Sequence, residues 1–223
     1  MISIHRIARL MAEGILSYSA GQGPASPGDK DPERLEIVAY GLEIALGAVV
    51  EVLAIIGVAQ CLGILPETAA ALITQVLYRF GAGGAHCTAY YRCLLSSVGA
   101  LTLVGWGGRQ LAQTLPVTGV FSLVFLAFLV SLPAVWRWAP ADTPANPITN
   151  PRRRILLKSS ALAFLGAWLL FMLVEANRVR PSLLYASALA VMLQTLTITP
   201  VGYRLMALVD QGLRQLLPLE GRR

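Results

Sequence analysis

The stretch Ile37–Ile64, IVAYGLEIALGAVVEVLAIIGVAQCLGI, decides the fold. It stays apolar for longer than the roughly 20 residues a helix needs to cross a bilayer. Only two charged residues, Glu43 and Glu51, interrupt it. Working outward, apolar segments recur at 68–80, 93–108, 117–138, 155–174 and 183–201. The reading is an all-α polytopic membrane protein of about six transmembrane or re-entrant helices. The segment 68–80 is the weak one. At about 1.5 Å per residue it reaches only about 20 Å, short of the ~30 Å hydrocarbon core. It is expected to be re-entrant or to thin the membrane locally, and four- or five-span arrangements stay open.

Composition agrees. The 223 residues are 56% hydrophobic and 13% charged, against about 25% charged in soluble domains. Residues 1–20 scatter His5, Arg6, Arg9 and Glu13 among apolar positions, which excludes the continuous core of a secretory signal. Ile4, Ile7, Met11, Ile15 and Tyr18 fall near one helical face, the pattern of an amphipathic helix lying on the membrane surface. Residues 21–35 begin with GQGPASPGDKDP and form a linker. The membrane domain then occupies 36–202, followed by an amphipathic tail over 203–223.

The formal net charge is +6. In a soluble chain that could signal nucleic acid. Here the basic residues flank apolar spans, so they set topology and meet anionic lipid, and no nucleic-acid partner is expected. With six spans and both termini in the cytoplasm, only Arg109, Arg178 and Arg180 of the 18 Lys and Arg lie outside, a strong positive-inside bias. The expected location is a bacterial cell membrane, with the site described next on the cytoplasmic side. No internal repeat is visible, which disfavours an inverted-repeat transporter.

Chemistry concentrates at Gly83-Gly84-Ala85-His86-Cys87-Thr88-Ala89-Tyr90-Tyr91-Arg92-Cys93. A thiolate is the nucleophilic form of cysteine, and a nearby imidazole can take its proton. On an unbroken helix His86 and Cys93 would share a face but sit about 10.5 Å apart along the axis. A working pair therefore requires a helix break near His86. Gly81, Gly83 and Gly84 permit one, so His86 is expected on an irregular turn folded over the start of the helix carrying Cys93. The bland alternative is a packed cysteine and a hydrogen-bonded histidine. His86, Cys87 and Cys93 are too few for a metal site at this spacing, so neither metal nor other cofactor is expected. Three cysteines, Cys61, Cys87 and Cys93, do not make a disulfide framework.

Other polar groups in apolar surroundings are candidates for support. Glu43 lies at the depth expected for His86 and could orient it, or pair with Arg79 or Arg92. Gln75, Ser96, Ser97 and Gln194 could bind substrate or an oxyanion, or simply bond between helices. Arg152, Arg153, Arg154 and Lys158 cap the fifth span, setting topology or attracting an acidic peptide. Small-residue stretches such as 41–57 suit packing against a second copy, as in a homodimer, or within one chain.

These residues resemble the accessory gene regulator B (AgrB) family. The segment from Arg79 through Gly83, Gly84 and His86 to Cys93 and Ser96 is similar to its R-x-x-x-GG-x-H-x6-C motif. The segment 138–148, WAPADTPANPI, is similar to its A-P-x-D-T-P-x-x-P-I loop, and 193–200, LQTLTITP, to its last span. Tyr40-Gly41-Leu42-Glu43 resembles the start of its first span. Cys87 departs from the small apolar residue usual there. The resemblance implies a membrane cysteine endopeptidase of peptide quorum sensing, with His86 and Cys93 catalytic. Arg79, Gly84, Glu43, Gln75, Ser96 and Ser97 would bind substrate or support. Its substrate would be an AgrD-like propeptide, cleaved through a Cys93 thioester and cyclised to a thiolactone or lactone. The rival is a non-enzymatic peptide exporter or scaffold of the same fold; a metal-dependent membrane hydrolase is a weaker one.

Overall fold

The computed structural model describes residues 4–20, 32–142 and 147–216. Among them are eight helices and no strand: α1 (Ile4–Ala20), α2 (Pro32–Cys61), α3 (Leu65–Ala82), α4 (Tyr90–Thr114), α5 (Val117–Trp138), α6 (Pro151–Glu175), α7 (Pro181–Ile198) and α8 (Pro200–Leu216). Most of the linker expected over 21–35, residues 143–146, and residues 217–223 of the expected tail lie outside the described residues. The chain divides into two compact units, Met1–Ala54 and Ile55–Arg223.

In the first unit α1 is amphipathic. Ala8 and Ala12 are fully buried while Ile7, Leu10, Met11, Ile15 and Tyr18 are exposed. His5 Nδ1 sits 2.9 Å from Glu43 Oε2 on α2. Glu43 thus has a partner within its own unit.

The second unit is organised around α7, which packs against α3, α4 and α5. A helix buried on every side needs either large apolar side chains or close neighbours. Here Ala186, Ser187, Ala188 and Ala190 are all buried, and small residues let helix backbones approach. On the facing α4, a Cβ on Gly108 would come within 2.6 Å of Ala186, so only glycine fits. The apolar core joins Tyr78, Val124, Leu165, Trp168, Met172 and Val191, with Tyr78 stacked on Phe164 at 5.3 Å.

Buried hydroxyls cross-link the bundle. Thr195 Oγ1 lies 2.6 Å from Ser131 Oγ and 3.1 Å from Tyr78 Oη, and itself donates to Val191 O at 2.8 Å. Trp168 Nε1 donates to Ser187 Oγ at 3.0 Å, which lies 2.7 Å from Thr74 Oγ1. In an apolar medium each such group needs its partner.

Helix ends follow from local chemistry. Gly63 takes φ 66°; its N–H reaches Gln60 O and the Ile64 N–H reaches Ala59 O, the Schellman closure of α2. Asn150 caps α6 by accepting from Arg152 N at 2.9 Å, with Pro151 at the first helical position.

Four helices are long and apolar enough to cross a membrane: α2, α5 from Thr118, α6 and α7. The protein is a membrane protein on this pattern. Of the six segments expected from sequence, α3 and α4 do not meet that standard. α3 is longer than the 68–80 run suggested, because Leu65, Pro66 and Glu67 begin it and Gly81 and Ala82 end it. At 18 residues it reaches about 27 Å.

Candidate active site

The site forms where α3 stops and α4 starts. Gly83, just after α3, has φ 69° and ψ −151°, a region essentially confined to glycine. Gly84 follows at φ 147°. Both are also pressed against neighbours: a Cβ on Gly83 would collide with the Ala141 carbonyl, and one on Gly84 would lie 2.7 Å from Thr197 Oγ1.

Backbone bonds strap this turn on two sides. The Gly84 N–H donates to Ala141 O at 3.2 Å and the Ala141 N–H to Ala82 O at 2.8 Å. The Ala85 N–H donates to Thr197 O at 3.0 Å, at the end of α7. Gln194 Nε2 adds a 2.6 Å bond to Gly83 O. The turn is therefore held by groups that buried backbone requires.

α4 resumes at Tyr90, and the Cys93 N–H donates to Ala89 O at 3.1 Å. Cys93 thus lies in the first full turn. His86, on the turn, brings Nδ1 to 3.8 Å from Cys93 Sγ. The helix break removes the two-turn separation that a continuous helix would impose.

Arg79 organises the other side of the imidazole. Its Nη1 donates to Gln194 Oε1 at 3.3 Å and its Nη2 to Ala85 O at 3.0 Å. The same Nη2 lies 2.9 Å from His86 Nε2 and 3.3 Å from Nδ1. A nitrogen that close to both ring nitrogens cannot lie on the in-plane lone pair of either. Nη2 therefore sits over the ring rather than in its plane. Both in-plane positions are left available, Nδ1 toward Cys93.

Burial and then the Arg79 charge lower the His86 pKa from 6.5 to about 4. His86 is exposed to solvent on the side away from the bundle's interior contacts, and Arg79 lies against its ring. The ring is neutral at pH 7 and can accept a proton.

An open groove of about 270 Å³ reaches His86, walled by Phe80, Gly83, Asp142, Ile148 and Arg153. A second, of about 260 Å³, lies past Asp142 toward Arg154 and Tyr203. Tyr203 Oη donates to Asp142 O at 2.8 Å, and the Ile148 N–H donates to Asp142 Oδ2 at 3.2 Å. Asp142 thus shapes the wall between the two grooves.

The remaining sequence candidates separate. Arg79, Gly84, His86 and Cys93 come together. Ser96 Oγ donates to Cys93 O at 2.9 Å and lies 3.7 Å from Cys87 Sγ, so its hydroxyl is engaged away from the His86–Cys93 contact. Ser97 is half-buried on α4. Gln75 lies one turn before Arg79 on α3, its Oε1 buried with no partner among the described residues. Glu43 is engaged by His5. Arg92, weighed as a partner for Glu43, is met instead by Asp210 at 3.0 Å. Among the described residues no cluster of three or more His, Cys, Asp or Glu could hold a metal.

Sequence reasoning missed Thr88 and Asp210. The Thr88 N–H and Oγ1 both donate to Asp210, at 3.1 and 2.7 Å. The available signal was that Asp210 is the sole carboxylate of α8.

A thiol at the head of one helix, an imidazole on the break before it, and a surrounding bundle of apolar helices define a polytopic membrane protein with a thiol–imidazole site. The chain belongs to the accessory gene regulator B family, whose model matches residues 22–198. That membership ties it to peptide processing in agr quorum sensing. It is similar to a presumed AgrB-like protein of Clostridium perfringens strain SM101, 24% identical over 84% of this chain and 91% of the relative. A second such protein, from C. perfringens strain 13, is 23% identical over 96% of this chain and all of the relative. One from Listeria innocua is 27% identical over 79% of this chain and 82% of the relative. No solved structure gives a significant match.

Proposed function

We propose that this chain is a membrane cysteine endopeptidase that removes the C-terminal tail of an AgrD-like propeptide and promotes cyclisation of the remaining signal peptide. The single observation that carries this reading is the 3.8 Å contact between His86 Nδ1 and Cys93 Sγ. Contacts of this kind are commonly long before substrate arrives and tighten in the complex.

His86 Nδ1 takes the Cys93 thiol proton, and Sγ attacks the carbonyl carbon before the tail. The C–N bond breaks as His86 returns its proton to the departing amine. The peptide is now a thioester on Cys93. A thiol or hydroxyl within the peptide attacks that carbonyl, closes a thiolactone or lactone, and restores the Cys93 thiol with its own proton. Exchange of one thioester for another is nearly balanced in energy, so cyclisation retains the acyl energy that hydrolysis would lose.

Arg79 supports this by holding the imidazole at the turn. Arg153 gives the groove beside His86 a cationic wall, suited to an acidic leaving segment. The basic residues Arg152–Lys158 at the start of α6 favour the cytoplasmic face for this end of the bundle. The lipid bilayer and the propeptide are the partners in this reading, and a homodimer fits the small-residue stretch 41–57.

The test is co-expression with the candidate propeptide. Cys93→Ala abolishes tail removal and His86→Ala nearly does so, while Cys87→Ser retains it. Tail removal by Cys93→Ala would favour an exporter or scaffold that relies on another protease.

A further inference from the structure

The amphipathic helix α8 reaches into the turn that carries His86. Asp210 Oδ1 accepts the Thr88 backbone N–H at 3.1 Å, and Oδ2 accepts the Thr88 hydroxyl at 2.7 Å. Asp210 Oδ1 also lies 3.0 Å from Arg92 Nε. Arg92 Nη2 closes the group by donating to Thr88 Oγ1 at 2.8 Å. One turn earlier on α8, Met206 Sδ sits 3.5 Å from Cys87 Sγ. The side chains of this ion pair are 3% exposed for Arg92 and 14% for Asp210, so water screens it little.

The placement of these residues gives the cluster its meaning. Thr88 is two residues after His86, and Arg92 immediately precedes Cys93. Asp210 therefore grips both halves of the thiol–imidazole pair from the side: the turn through Thr88 and the first turn of α4 through Arg92. It also satisfies the Thr88 N–H, a backbone donor on the turn just before α4. The family match ends at residue 198, so this group comes from beyond the matched segment.

We propose that Asp210 is a positioning residue for the His86–Cys93 pair, setting the distance between them by tying Thr88 to Arg92; this rests on the reading that the pair is reactive. Asp210 touches neither the thiol nor the imidazole. Hydrogen bonds from Thr88 and the Arg92 charge lower the Asp210 pKa against the effect of burial, in keeping with an ionised carboxylate in this role.

The experiment uses the full chain in lipid nanodiscs and iodoacetamide as the probe, so that no peptide substrate is required. Alkylation at Cys93 is followed by peptide mass spectrometry and expressed relative to Cys61, an exposed cysteine at the end of α2. Small misplacement of a reacting group can cost up to about a hundredfold. Asp210→Asn is expected to lower the Cys93:Cys61 ratio by about tenfold or more, Thr88→Ala to lower it by less, and Asp210→Glu to recover part of the loss. An unchanged ratio in Asp210→Asn and Thr88→Ala, where His86→Ala lowers it, overturns the proposal and leaves the reactive pair intact. An equal rise in labelling at both cysteines, with a lowered melting temperature, also overturns it, since that is general loosening. If His86→Ala itself leaves the ratio unchanged, the reading of a reactive pair fails first. Should Asp210→Asn not fold, Thr88→Ala decides the matter, because it removes a hydroxyl from an exposed residue and leaves the ion pair in place.

Discussion

Arg79 lies across the face of His86, its Nη2 2.9 Å from Nε2 and 3.3 Å from Nδ1. A cation there opposes a second positive charge on the ring while leaving Nδ1 free in its own plane. Arg79→Gln removes that charge but not the burial. In that variant the His86 titration midpoint is expected to rise from about 4 toward, without reaching, 6.5. Histidine NMR in a His5→Gln background measures it directly; an unmoved midpoint would contradict the arrangement.

The same lowered pKa links to stability. Between pH 6.5 and about 4 the unfolded chain binds the His86 proton more readily than the folded one. Folded stability is expected to fall as pH drops through that window, with a shallower fall in Arg79→Gln. Thermal melts across the window, with His86→Gln as the reference lacking the group, provide the check.

Two glycines with positive φ should differ in what an added Cβ costs. Gly63 at φ 66° leaves an added Cβ 3.8 Å from its nearest neighbour, Arg109 Nη1. Gly63→Ala should cost about 1–2 kcal/mol for the left-handed conformation alone. Gly83, at φ 69° and ψ −151°, lies in a region essentially confined to glycine and adds a collision with the Ala141 carbonyl, so Gly83→Ala should cost more and also depress Cys93 alkylation. Melting temperatures in nanodiscs rank the two; equal costs would contradict a strained and crowded turn at Gly83.

Thr195 is the hub of a buried hydroxyl group joining Ser131 and Tyr78. Tyr78→Phe removes one bond and should cost about 1 kcal/mol. Thr195→Val strips both hydroxyls of their shared partner and should cost about 2–3 kcal/mol. Comparable losses in the two variants would remove Thr195 from that central role.

Much of this was legible from sequence because its causes are local. Apolar runs and the positive residues at their ends mark membrane helices, and Gly83-Gly84 beside His86 signals the break that a seven-residue spacing to Cys93 demands. α5 ends where its apolar run ends, at Trp138. What could not be read depends on distant packing. Glu43 has the depth to reach a site but pairs with His5, and nothing in its own span encodes that choice. Asp210 lies more than a hundred residues from the turn it grips, and a lone carboxylate on an amphipathic tail reads as a solvated face. The polar content of α3 and α4 was visible, but its meaning was not. Thr74, Tyr78 and Arg79 turn toward α7 and the His86 turn, so one face of α3 braces the site while Ile73, Leu77 and Phe80 face outward.

Intact mass spectrometry of the nanodisc-reconstituted protein with its candidate propeptide, wild type beside Cys93→Ala, tests the central claim most directly. The expected result is an adduct on the wild type alone, heavier than the protein by the peptide without its tail and labile to hydroxylamine, as a thioester must be. Propeptide that binds both proteins, with no adduct and no tail released by either, would contradict the account and leave His86 and Cys93 as packing neighbours.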